Sequence, residues 1–237
     1  MNDKEKRPFF SVIIPAFNEE KTIAKTLESV LEQDFSQNQY EIIVVNNNST
    51  DKTATIVQKF PNVKLINEPK QGYVYALKRG AKEAQGEILA YTDADTIVPK
   101  SWLSQYYKAY HNPKVVYAGG GVNFQPKFGL IFLIQAFLNF FGLITKIASG
   151  FNFSLRRDVY EKIGGVNPQI NFHADTDLIL RAKKEGKAVF LLKNRVITSS
   201  RHYRGLKGVV YVFKGIINAV WLFLFKKTLF WHFGEVR

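Results

Sequence analysis

Short apolar runs alternate with amphipathic segments along the first part of the chain. The runs are rich in β-branched and aromatic residues, which is typical of buried strands, whereas the segments between them repeat apolar residues at helical spacing. The predicted strands are 9–15, 41–45, 63–67 and 88–92; the predicted helices are 21–33, one that Ser49 or Thr50 caps and that runs to about 59, and 73–84. Because strands and helices alternate, the pattern predicts an α/β fold with a parallel, doubly wound sheet.

The predicted strand 88–92 is followed by two carboxylates, Asp93 and Asp95. Open α/β sheets bind ligands at the carboxyl ends of their strands, and side chains at i and i+2 of an extended chain point the same way. Two neighbouring carboxylates repel each other unless a cation or a hydrogen-bond donor lies between them. A divalent metal that holds a diphosphate would satisfy both, and an acidic turn after a strand is the plainer alternative.

Residues 128–145 contain no charged residue, and their number is at the lower limit for a membrane span. The weakly polar residues of this segment and the lysine that follows it recur at helical spacing, so they lie on one face of a predicted helix. These positions are Gln135, Asn139, Gly142 and Lys146. We therefore predict an amphipathic helical insertion at about 128–148 rather than a span.

The C-terminal segment, 206–237, repeats this pattern with aromatic and aliphatic residues from 209 to 225. Its polar positions at helical spacing are Lys207, Lys214 and Asn218. From Arg201 to Arg237 there are seven basic residues and one acidic residue. A cationic amphipathic helix is typical of a helix that lies on an anionic bilayer, so we predict contact with a membrane surface. Packing of both helices on the sheet or on each other is the alternative.

The composition narrows the partners and the compartment. Lysine and arginine outnumber aspartate and glutamate by 33 to 20, a formal charge of +13, which favours a nucleotide, a nucleic acid or an acidic lipid as partner. The chain has no cysteine, so disulfides and thiolate metal sites are excluded. The first ten residues are charged rather than apolar, so we expect no cleaved secretory signal and a cytoplasmic location. With 237 residues and no linker, one large domain with a C-terminal appendage is expected.

Five motifs together resemble those of the family 2 glycosyltransferases. They are S-V-I-I-P-A-F-N-E at 11–19, V-V-N-N-N-S-T-D at 44–51, Gly72 with Ala76 and Gly80, Gly86-Glu87 leading to Asp93 and Asp95, and H-A-D-T-D-L at 173–178. Each motif is weak alone, but their order and spacing match that family over residues 9–205. The resemblance implies an α/β fold of the GT-A type, Rossmann-like with helices on both faces of a mostly parallel sheet, in a domain of residues 1–205. It also implies transfer of a sugar from a nucleotide diphosphate donor with inversion.

The resemblance further implies a donor site and a metal site. A divalent ion, Mg²⁺ or Mn²⁺, would bind Asp95, with Asp93 on the same ion or near the ribose, and would stabilise the diphosphate leaving group as a Lewis acid. The nucleotide would lie against two polar loops at strand carboxyl ends, 16–19 and 46–51. The residues assigned to the nucleotide sugar are Pro15, Ala16, Asn18, Glu19, Asn47, Asp51, Gly72, Lys78, Asp93, Ala94, Arg201 and Arg204.

The candidate catalytic residue is Asp175. A hydroxyl acceptor loses its proton as it attacks, and a positioned carboxylate contributes about 10²–10⁴-fold as a general base. The alternative is that Asp175 caps the helix predicted to begin there, and we interpret Asp177 as a structural residue in its first turn. His173 and His202 are candidate metal or acceptor ligands, although lone histidines are more often ordinary polar residues.

The sequence departs from the family pattern in three places. Ala174 stands where the family usually has glutamate, Asn46 and Asn47 stand where aspartates are common, and Leu77-Lys78 stands where Arg-Asn is frequent. Ala174 and the two asparagines keep open the alternative of a catalytically weak nucleotide-sugar-binding subunit, and Leu77-Lys78 leaves the diphosphate contact of that helix unassigned. A sugar nucleotidyltransferase of the same fold would need a glycine-rich basic loop after the first strand, which this chain lacks.

We therefore predict a metal-dependent glycosyltransferase, peripheral at the inner face of the cell membrane. Its predicted acceptor is a hydroxyl of a glycan or of a lipid-linked substrate, with a polyprenyl phosphate as the alternative. No nucleic-acid partner is expected.

Overall fold

A mixed sheet of eight strands forms the centre of the molecule. The computed structural model describes residues 7–129, 131–170 and 173–203, together with scattered positions between 208 and 225. The strands are β1 (Phe10–Ala16), β2 (Tyr40–Asn46), β3 (Val63–Asn67), β4 (Ile88–Tyr91), β5 (Thr96–Ile97), β6 (Val115–Gln125), β7 (Phe153–Arg156) and β8 (Lys187–Ser199). Their order across the sheet is β3-β2-β1-β4-β7-β6-β8-β5.

The four strands at one side of the sheet, β3-β2-β1-β4, are all parallel, as the alternating pattern predicts. On the other side, β7 runs antiparallel to both β4 and β6, β8 runs parallel to β6, and β5 runs antiparallel to β8. The predicted α/β class is confirmed. The later strands, which the apolar pattern left unassigned, make the sheet mixed.

Helices cover both faces of the sheet. They are α1 (Ile23–Leu31), α2 (Thr53–Val57), α3 (Tyr73–Glu83), α4 (Trp102–Tyr110), α5 (Ile131–Thr145), α6 (Arg157–Lys162) and α7 (Ala174–Ala182), with short 3₁₀ turns at Gln37–Gln39 and Arg201–Tyr203. Neighbouring residues of β1 point to opposite faces: Ile13 belongs to the buried cluster of Leu77 and Leu178, whereas Ile14 belongs to that of Leu27. Each fully buried side chain of this size stabilises the fold by about 1.5–3 kcal/mol relative to an exposed one, so the two apolar layers fix the sheet between its helices.

The helix after β2 begins later than predicted. Because α2 starts at Thr53, neither Ser49 nor Thr50 caps it, and that prediction was wrong. The Asp51 Oδ1 instead accepts the backbone N–H of Thr53 at 2.9 Å. The Ser49 hydroxyl and the Thr50 N–H are used by Asn18, in the loop after β1.

The predicted helix in the middle of the chain is present as α5, and its polar stripe faces the sheet. Strand β7 pairs with β6 only as far as Gly119. Asn152 still bonds the backbone of the next two residues of β6, and from Val122 onward side chains of α5 take the place of a neighbouring strand. The Asn139 amide accepts the N–H of Val122 at 2.8 Å and donates to its carbonyl at 2.9 Å, and the Gln135 Oε1 accepts the N–H of Phe124 at 2.9 Å.

The opposite face of α5 is apolar and exposed. The helix lies close to the sheet at Gly142, where a Cβ would collide with the ring of Phe190. The exposed side chains on the other side are Phe132, Leu133, Phe137, Phe140, Phe141, Leu143 and Ile144. The polarity is therefore the reverse of that expected for a helix on the surface of a globular protein. Within the described ranges, no helix is long and apolar enough to cross a membrane.

The predicted helix at 209–225 is described only in part. The described positions between 208 and 225 are helical, with Asn218 buried and Phe213 exposed. Lys207 and residues 226–237 lie outside the described residues, so the cationic face and the domain boundary at 205 stay predictions.

Candidate active site

Several loops meet at one edge of the sheet. Strands β1, β2 and β4 are parallel, so their carboxyl ends lie at the same edge. Strand β7 is antiparallel to β4, with Phe153 opposite Tyr91, so the chain enters β7 at the edge where β4 ends. Strand β8 is parallel to β6, which is antiparallel to β7, so β8 also ends at this edge. The loops after β1, β2, β4 and β8 and the segment before β7 therefore surround one site.

Asp93 and Asp95 lie just beyond β4, and the residue between them faces the other way. Asp93 is half-buried and the side chain of Asp95 is only 8% exposed, whereas Ala94 is buried in the core and its carbonyl accepts the Thr26 hydroxyl at 2.9 Å. The chain does not stay extended here, because Ala94 and Asp95 lie in a turn in which the Asp93 carbonyl accepts the N–H of Thr96 at 3.2 Å. The Tyr73 hydroxyl donates to Asp93 Oδ1 at 3.4 Å, which orients that carboxylate.

Arg201 joins the loops after β1, β4 and β8. Its Nη1 donates to Glu19 Oε2 at 3.0 Å, while Nη2 pairs with Glu19 Oε1 and lies 3.2 Å from Asp95 Oδ2. Both carboxylates are nearly buried, with side-chain exposures of 9% for Glu19 and 8% for Asp95. The Thr22 hydroxyl also donates to Glu19, and that of Thr198 donates to Asp95. One guanidinium therefore bridges two carboxylates through charge-assisted bonds and offsets one of their two negative charges.

The loops after β1 and β2 are bonded to each other. Asn18 has a φ of 54°, in the left-handed region that asparagine tolerates better than most residues. Its N–H donates to Ser49 Oγ at 3.1 Å, and its Oδ1 accepts the Thr50 N–H at 2.8 Å. Asn18 and Thr50 remain exposed at the rim of the site. Both predicted nucleotide loops therefore form one continuous polar rim.

Asp51, a predicted donor contact, fixes the start of α2. Its Oδ1 accepts the hydroxyl of Thr53 at 2.5 Å, and its Oδ2 accepts the N–H of Glu20 at 3.0 Å. The Thr53 hydroxyl in turn accepts the N–H of Glu19 at 2.7 Å. Burial would raise the pKa of Asp51, but the hydrogen bonds from Thr53 and Glu20 outweigh it and lower that pKa below its ordinary value. In this structure Asp51 supports the loop that carries Glu19.

Asn47 supports the start of α3 in a similar way. Its buried amide donates to two carbonyls of segment 68–70, at 3.0 and 2.7 Å, and accepts the N–H of Gly72 at 2.7 Å. Gly72 has a φ of 136°, which side chains with a Cβ rarely adopt. Asn47 thus holds the turn from which Tyr73 reaches Asp93.

Asp175 lies in the first turn of α7, and the cap position is occupied by His173 with a φ of 63°. The N-cap alternative for Asp175 is therefore wrong. A Cβ on Gly150 would collide with the Asp175 carboxylate, so this carboxylate packs against the segment that enters β7, at the edge where Asp95 lies. Burial raises the pKa of Tyr117 far above its ordinary value, and the nearby charge of Asp175 raises it further.

Two neighbours of Asp175 have structural partners. Asp177 forms an ion pair with Arg181, with Nη2 and Oδ2 2.7 Å apart, and Arg181 also donates to the carbonyls of Ile163 and Gly165. This agrees with the structural interpretation of Asp177. The His173 Nε2 lies 3.1 Å from the carbonyl oxygen of Gly215, which can only accept, so that nitrogen donates.

Lys78, a predicted donor contact, lies away from this edge. It is exposed on α3 and lines a cavity together with Arg157, which follows the end of β7. The end of β7 lies beside the start of β4, at the opposite edge of the sheet from Asp93 and Asp95. The structure therefore does not bring Lys78 to the aspartates.

Two other predicted site residues lie within β1, and two more lie wholly or partly outside the described residues. Pro15 and Ala16 are buried within β1, and the Ala16 carbonyl accepts the N–H of Asn47 at 2.9 Å. The side chain of His202 and the whole of Arg204 lie outside the described residues. Their assigned roles stay predictions.

The sequence pattern missed three hydroxyl groups that hold the carboxylates. They belong to Thr22, Tyr73 and Thr198. Thr198 lies on β8, which carried no sequence signal. Tyr73 is the first residue of α3, and Thr22 directly precedes α1, so helix starts near strand carboxyl ends are the signal that could have found them.

The carboxylates fit a metal when a ligand supplies further oxygens. Among the described residues, no group of three or more His, Cys, Asp or Glu could hold an ion. Asp93 and Asp95 offer hard oxygen donors, and Asp95 already binds a cation, the guanidinium of Arg201. Mg²⁺ is usually held by one or two carboxylates together with substrate phosphates, so this donor set fits Mg²⁺ or Mn²⁺ in the presence of a diphosphate.

The model of the family described as Glycosyl transferase family 2 matches residues 11–164. Glycosyltransferase AglE of Haloferax volcanii is 32% identical over 66% of this chain and 55% of its own length. Probable glycosyltransferase YdaM of Bacillus subtilis is 32% identical over 76% of this chain and 47% of its own. Dolichyl N-acetyl-alpha-D-glucosaminyl phosphate 3-beta-D-2,3-diacetamido-2,3-dideoxy-beta-D-glucuronosyltransferase of Methanococcus voltae is 34% identical over 48% of this chain and 39% of its own. The chain thus spans about half the length of these relatives.

Two solved structures share the fold. Mannosyltransferase PcManGT from Pyrobaculum calidifontis, in complex with GDP-Man and Mn²⁺, aligns with a TM-score of 0.69 at 24% identity over 81% of this chain and 57% of its own. S. aureus TarS 1–349, in complex with UDP-GlcNAc, aligns with a TM-score of 0.68 at 19% identity over 94% of this chain and 68% of its own. The predicted GT-A fold is confirmed.

Proposed function

Because the chain belongs to glycosyl transferase family 2, we propose that it transfers a sugar, with inversion, from a nucleotide diphosphate donor to a hydroxyl of a glycan or lipid-linked acceptor. The observation that carries this proposal is the meeting of Asp93, Asp95, Arg201 and Asp175 at one edge of the sheet. That edge offers groups for a diphosphate and a carboxylate for an acceptor.

The donor binds across the loops after β1, β2 and β4. Its base meets the exposed rim that contains Asn18 and Thr50, and its diphosphate lies near Asp95 and Arg201. The planar fork of arginine suits bidentate contact with phosphate oxygens. A divalent metal on Asp93 and Asp95 would supply Lewis-acid stabilisation of the charge on the leaving group. The Mn²⁺ and GDP-Man in the P. calidifontis neighbour support this assignment.

The acceptor reacts beside Asp175. This carboxylate takes the proton of the acceptor hydroxyl as the hydroxyl oxygen forms a bond to the anomeric carbon. The bond from that carbon to the diphosphate oxygen breaks on the opposite side, so the configuration inverts and the nucleoside diphosphate leaves. The position of Asp175 against Gly150, on the edge that carries Asp95, supports this role.

The experiment is a screen of UDP-, GDP- and TDP-sugars for release of nucleoside diphosphate, with Mn²⁺ and with a chelator in its place. We expect release from one donor class, dependent on the metal and accelerated by an acceptor. If the chain binds a donor tightly but releases no nucleoside diphosphate with any acceptor, the alternative of a catalytically weak binding subunit, which Ala174 suggests, would be supported instead.

We also propose that α5 rests on the cytoplasmic face of a membrane. Contiguous exposed apolar surface of this kind marks an interaction site in a monomeric soluble protein. Its carboxyl end is cationic, because the Nζ of Lys146 donates to the Leu143 carbonyl at 2.5 Å and that of Lys183 donates to the Thr145 carbonyl. An apolar face with lysines at its end suits an anionic bilayer, and the dolichyl phosphate in the name of the M. voltae relative supports a lipid-linked acceptor.

A further inference from the structure

The Arg201 guanidinium contacts the same carboxylate that the proposed metal would bind. Its Nη2 lies 3.2 Å from Asp95 Oδ2 and also pairs with Glu19. The side chains of Asp95 and Glu19 are only 8% and 9% exposed, so water reaches them poorly. Without a cation between them, two nearly buried anions would lie side by side, which is strongly unfavourable.

The backbone around Arg201 is anchored, while its side chain is long. The Ser200 N–H and hydroxyl donate to the carbonyls of residues 125–126 at 3.0 and 2.7 Å. The Tyr203 ring packs edge-on against that of Phe124, with ring centres 4.9 Å apart. The guanidinium, which is 37% exposed, can therefore exchange partners without a shift of β8.

We propose that Arg201 is an exchangeable counter-ion that makes metal and donor bind together. In the ligand-free chain it lies between Asp95 and Glu19 and offsets one of their two negative charges. A divalent ion that arrives alone has to compete with the guanidinium for Asp95, and it offers Arg201 no new anion. A diphosphate that arrives with the metal does offer one, so the guanidinium can exchange Asp95 for a phosphate oxygen and keep its pair with Glu19. This inference rests on the proposed function and adds the order of binding at its site.

The consequence is that Arg201 affects the affinities for the two ligands in opposite directions. Arg201 weakens the binding of metal alone, because two cations compete for one carboxylate. It strengthens the binding of nucleotide with metal, because it contacts the diphosphate. By linkage, the nucleotide then raises the affinity for metal by the same factor by which the metal raises the affinity for nucleotide.

The test is equilibrium dialysis of Mn²⁺ against the full chain, without nucleotide and with saturating UDP or GDP. The variant is Arg201→Gln. The matched control is Arg157→Gln, which removes the same charge from an arginine that is 3.3 Å from Glu161, at the far edge of the sheet. We expect Arg201→Gln to bind Mn²⁺ alone about tenfold more tightly and the better nucleotide, in the presence of Mn²⁺, about tenfold more weakly. The control should match the wild type in both.

Tighter binding of Mn²⁺ together with weaker binding of the nucleotide identifies the exchange, because a merely structural defect would weaken the binding of both ligands. Mn²⁺ binding by Arg201→Gln that equals or falls below that of the wild type overturns the proposal. If this variant fails to fold, Arg201→Lys is used: it keeps the charge and loses the fork, so it should retain most of the competition with Mn²⁺ and lose nucleotide affinity.

The two proposals fail separately. A wild type that releases no nucleoside diphosphate, beside an Arg201→Gln variant with tighter Mn²⁺ binding, refutes the transferase and keeps the counter-ion. Normal release with unchanged Mn²⁺ binding refutes the counter-ion alone.

Discussion

The reversed polarity of α5 makes a prediction about stability that an ordinary amphipathic helix would not. Asn139 is 7% exposed and makes two hydrogen bonds to the backbone of Val122, which is 3% exposed. Phe137, two residues earlier on the same helix, is 62% exposed. Substitution of the polar residue should therefore cost stability, and substitution of the aromatic one should not.

The magnitude follows from the two backbone groups. Asn139→Ala leaves the buried N–H and carbonyl of Val122 without this partner, at about 1–3 kcal/mol each. The better helix propensity of alanine offsets about 0.5 kcal/mol. We expect a loss of about 1.5–5.5 kcal/mol, a large fraction of the 5–15 kcal/mol typical of a domain. Phe137→Ser should lower the free energy of unfolding by no more than about 0.5 kcal/mol, because phenylalanine and serine have similar helix propensities and the exposed ring loses a stacking contact with Phe141, an i,i+4 pair worth about 0.2–0.5 kcal/mol.

The assay is urea unfolding followed by far-ultraviolet circular dichroism, with linear extrapolation to water. Flotation with anionic vesicles is measured in parallel, and there Phe137→Ser should reduce the bound fraction while folded Asn139→Ala should not. A loss below about 0.5 kcal/mol for Asn139→Ala, together with a loss above about 1 kcal/mol for Phe137→Ser, would refute the reasoning, because α5 would then bury its apolar face.

The remaining predictions concern the carboxylates. Asp95→Asn should abolish metal-dependent donor binding measured by calorimetry, since an amide binds hard cations poorly, and Asp93→Asn should have a smaller effect; unchanged affinity of Asp95→Asn would exclude it as a ligand. Asp175→Asn should lower kcat by about 10²–10⁴-fold while donor affinity is kept, and a loss under about tenfold would remove it from the catalytic role or indicate an acceptor that is already an anion. Asp51→Asn should destabilise the fold by about 1–2 kcal/mol at neutral pH, because Asp51 accepts one backbone N–H on each carboxylate oxygen and the Nδ2 that replaces one of them in asparagine can only donate. The pKa of Asp51 is lowered in the folded state, so its stabilisation is present above the unfolded pKa and is lost as pH falls through the folded pKa. The difference in unfolding free energy between the wild type and Asp51→Asn should therefore shrink across the acid range. A difference that stays constant with pH would contradict this assignment.

The sequence by itself determined the parallel side of the sheet and the position of the paired aspartates. Both are local properties, because continuous apolar runs identify buried strands and the residues after a strand lie at its carboxyl end. The period of an extended chain does not explain why Ala94 is buried between the two aspartates, because a turn with a hydrogen bond from the Thr96 N–H to the Asp93 carbonyl ends the extended geometry. Strands β6 and β8 were not recognised, since the former contains three consecutive glycines and the latter mixes charged with apolar residues.

Only the tertiary structure decided which polar residues face the site and which support it. Asn47 and Asp51 stand in a loop suited to nucleotide contact, yet their hydrogen bonds go to the starts of α3 and α2. The partner of Glu19 is Arg201, 182 residues away in the chain, and no local pattern encodes such a pair. Both outcomes depend on where strands that are distant in sequence end in space.

The orientation of α5 shows most clearly that local sequence does not determine which residues face the core. Helical periodicity states that Gln135, Asn139 and Gly142 share a face, but it does not state which face is buried. That choice is made by β6, whose backbone groups at Val122 and Phe124 lie beyond its pairing with β7 and bond the amide side chains of α5 instead. Because a buried unpaired backbone group costs more than an exposed apolar side chain, the polar stripe turns inward and the apolar face is left outside.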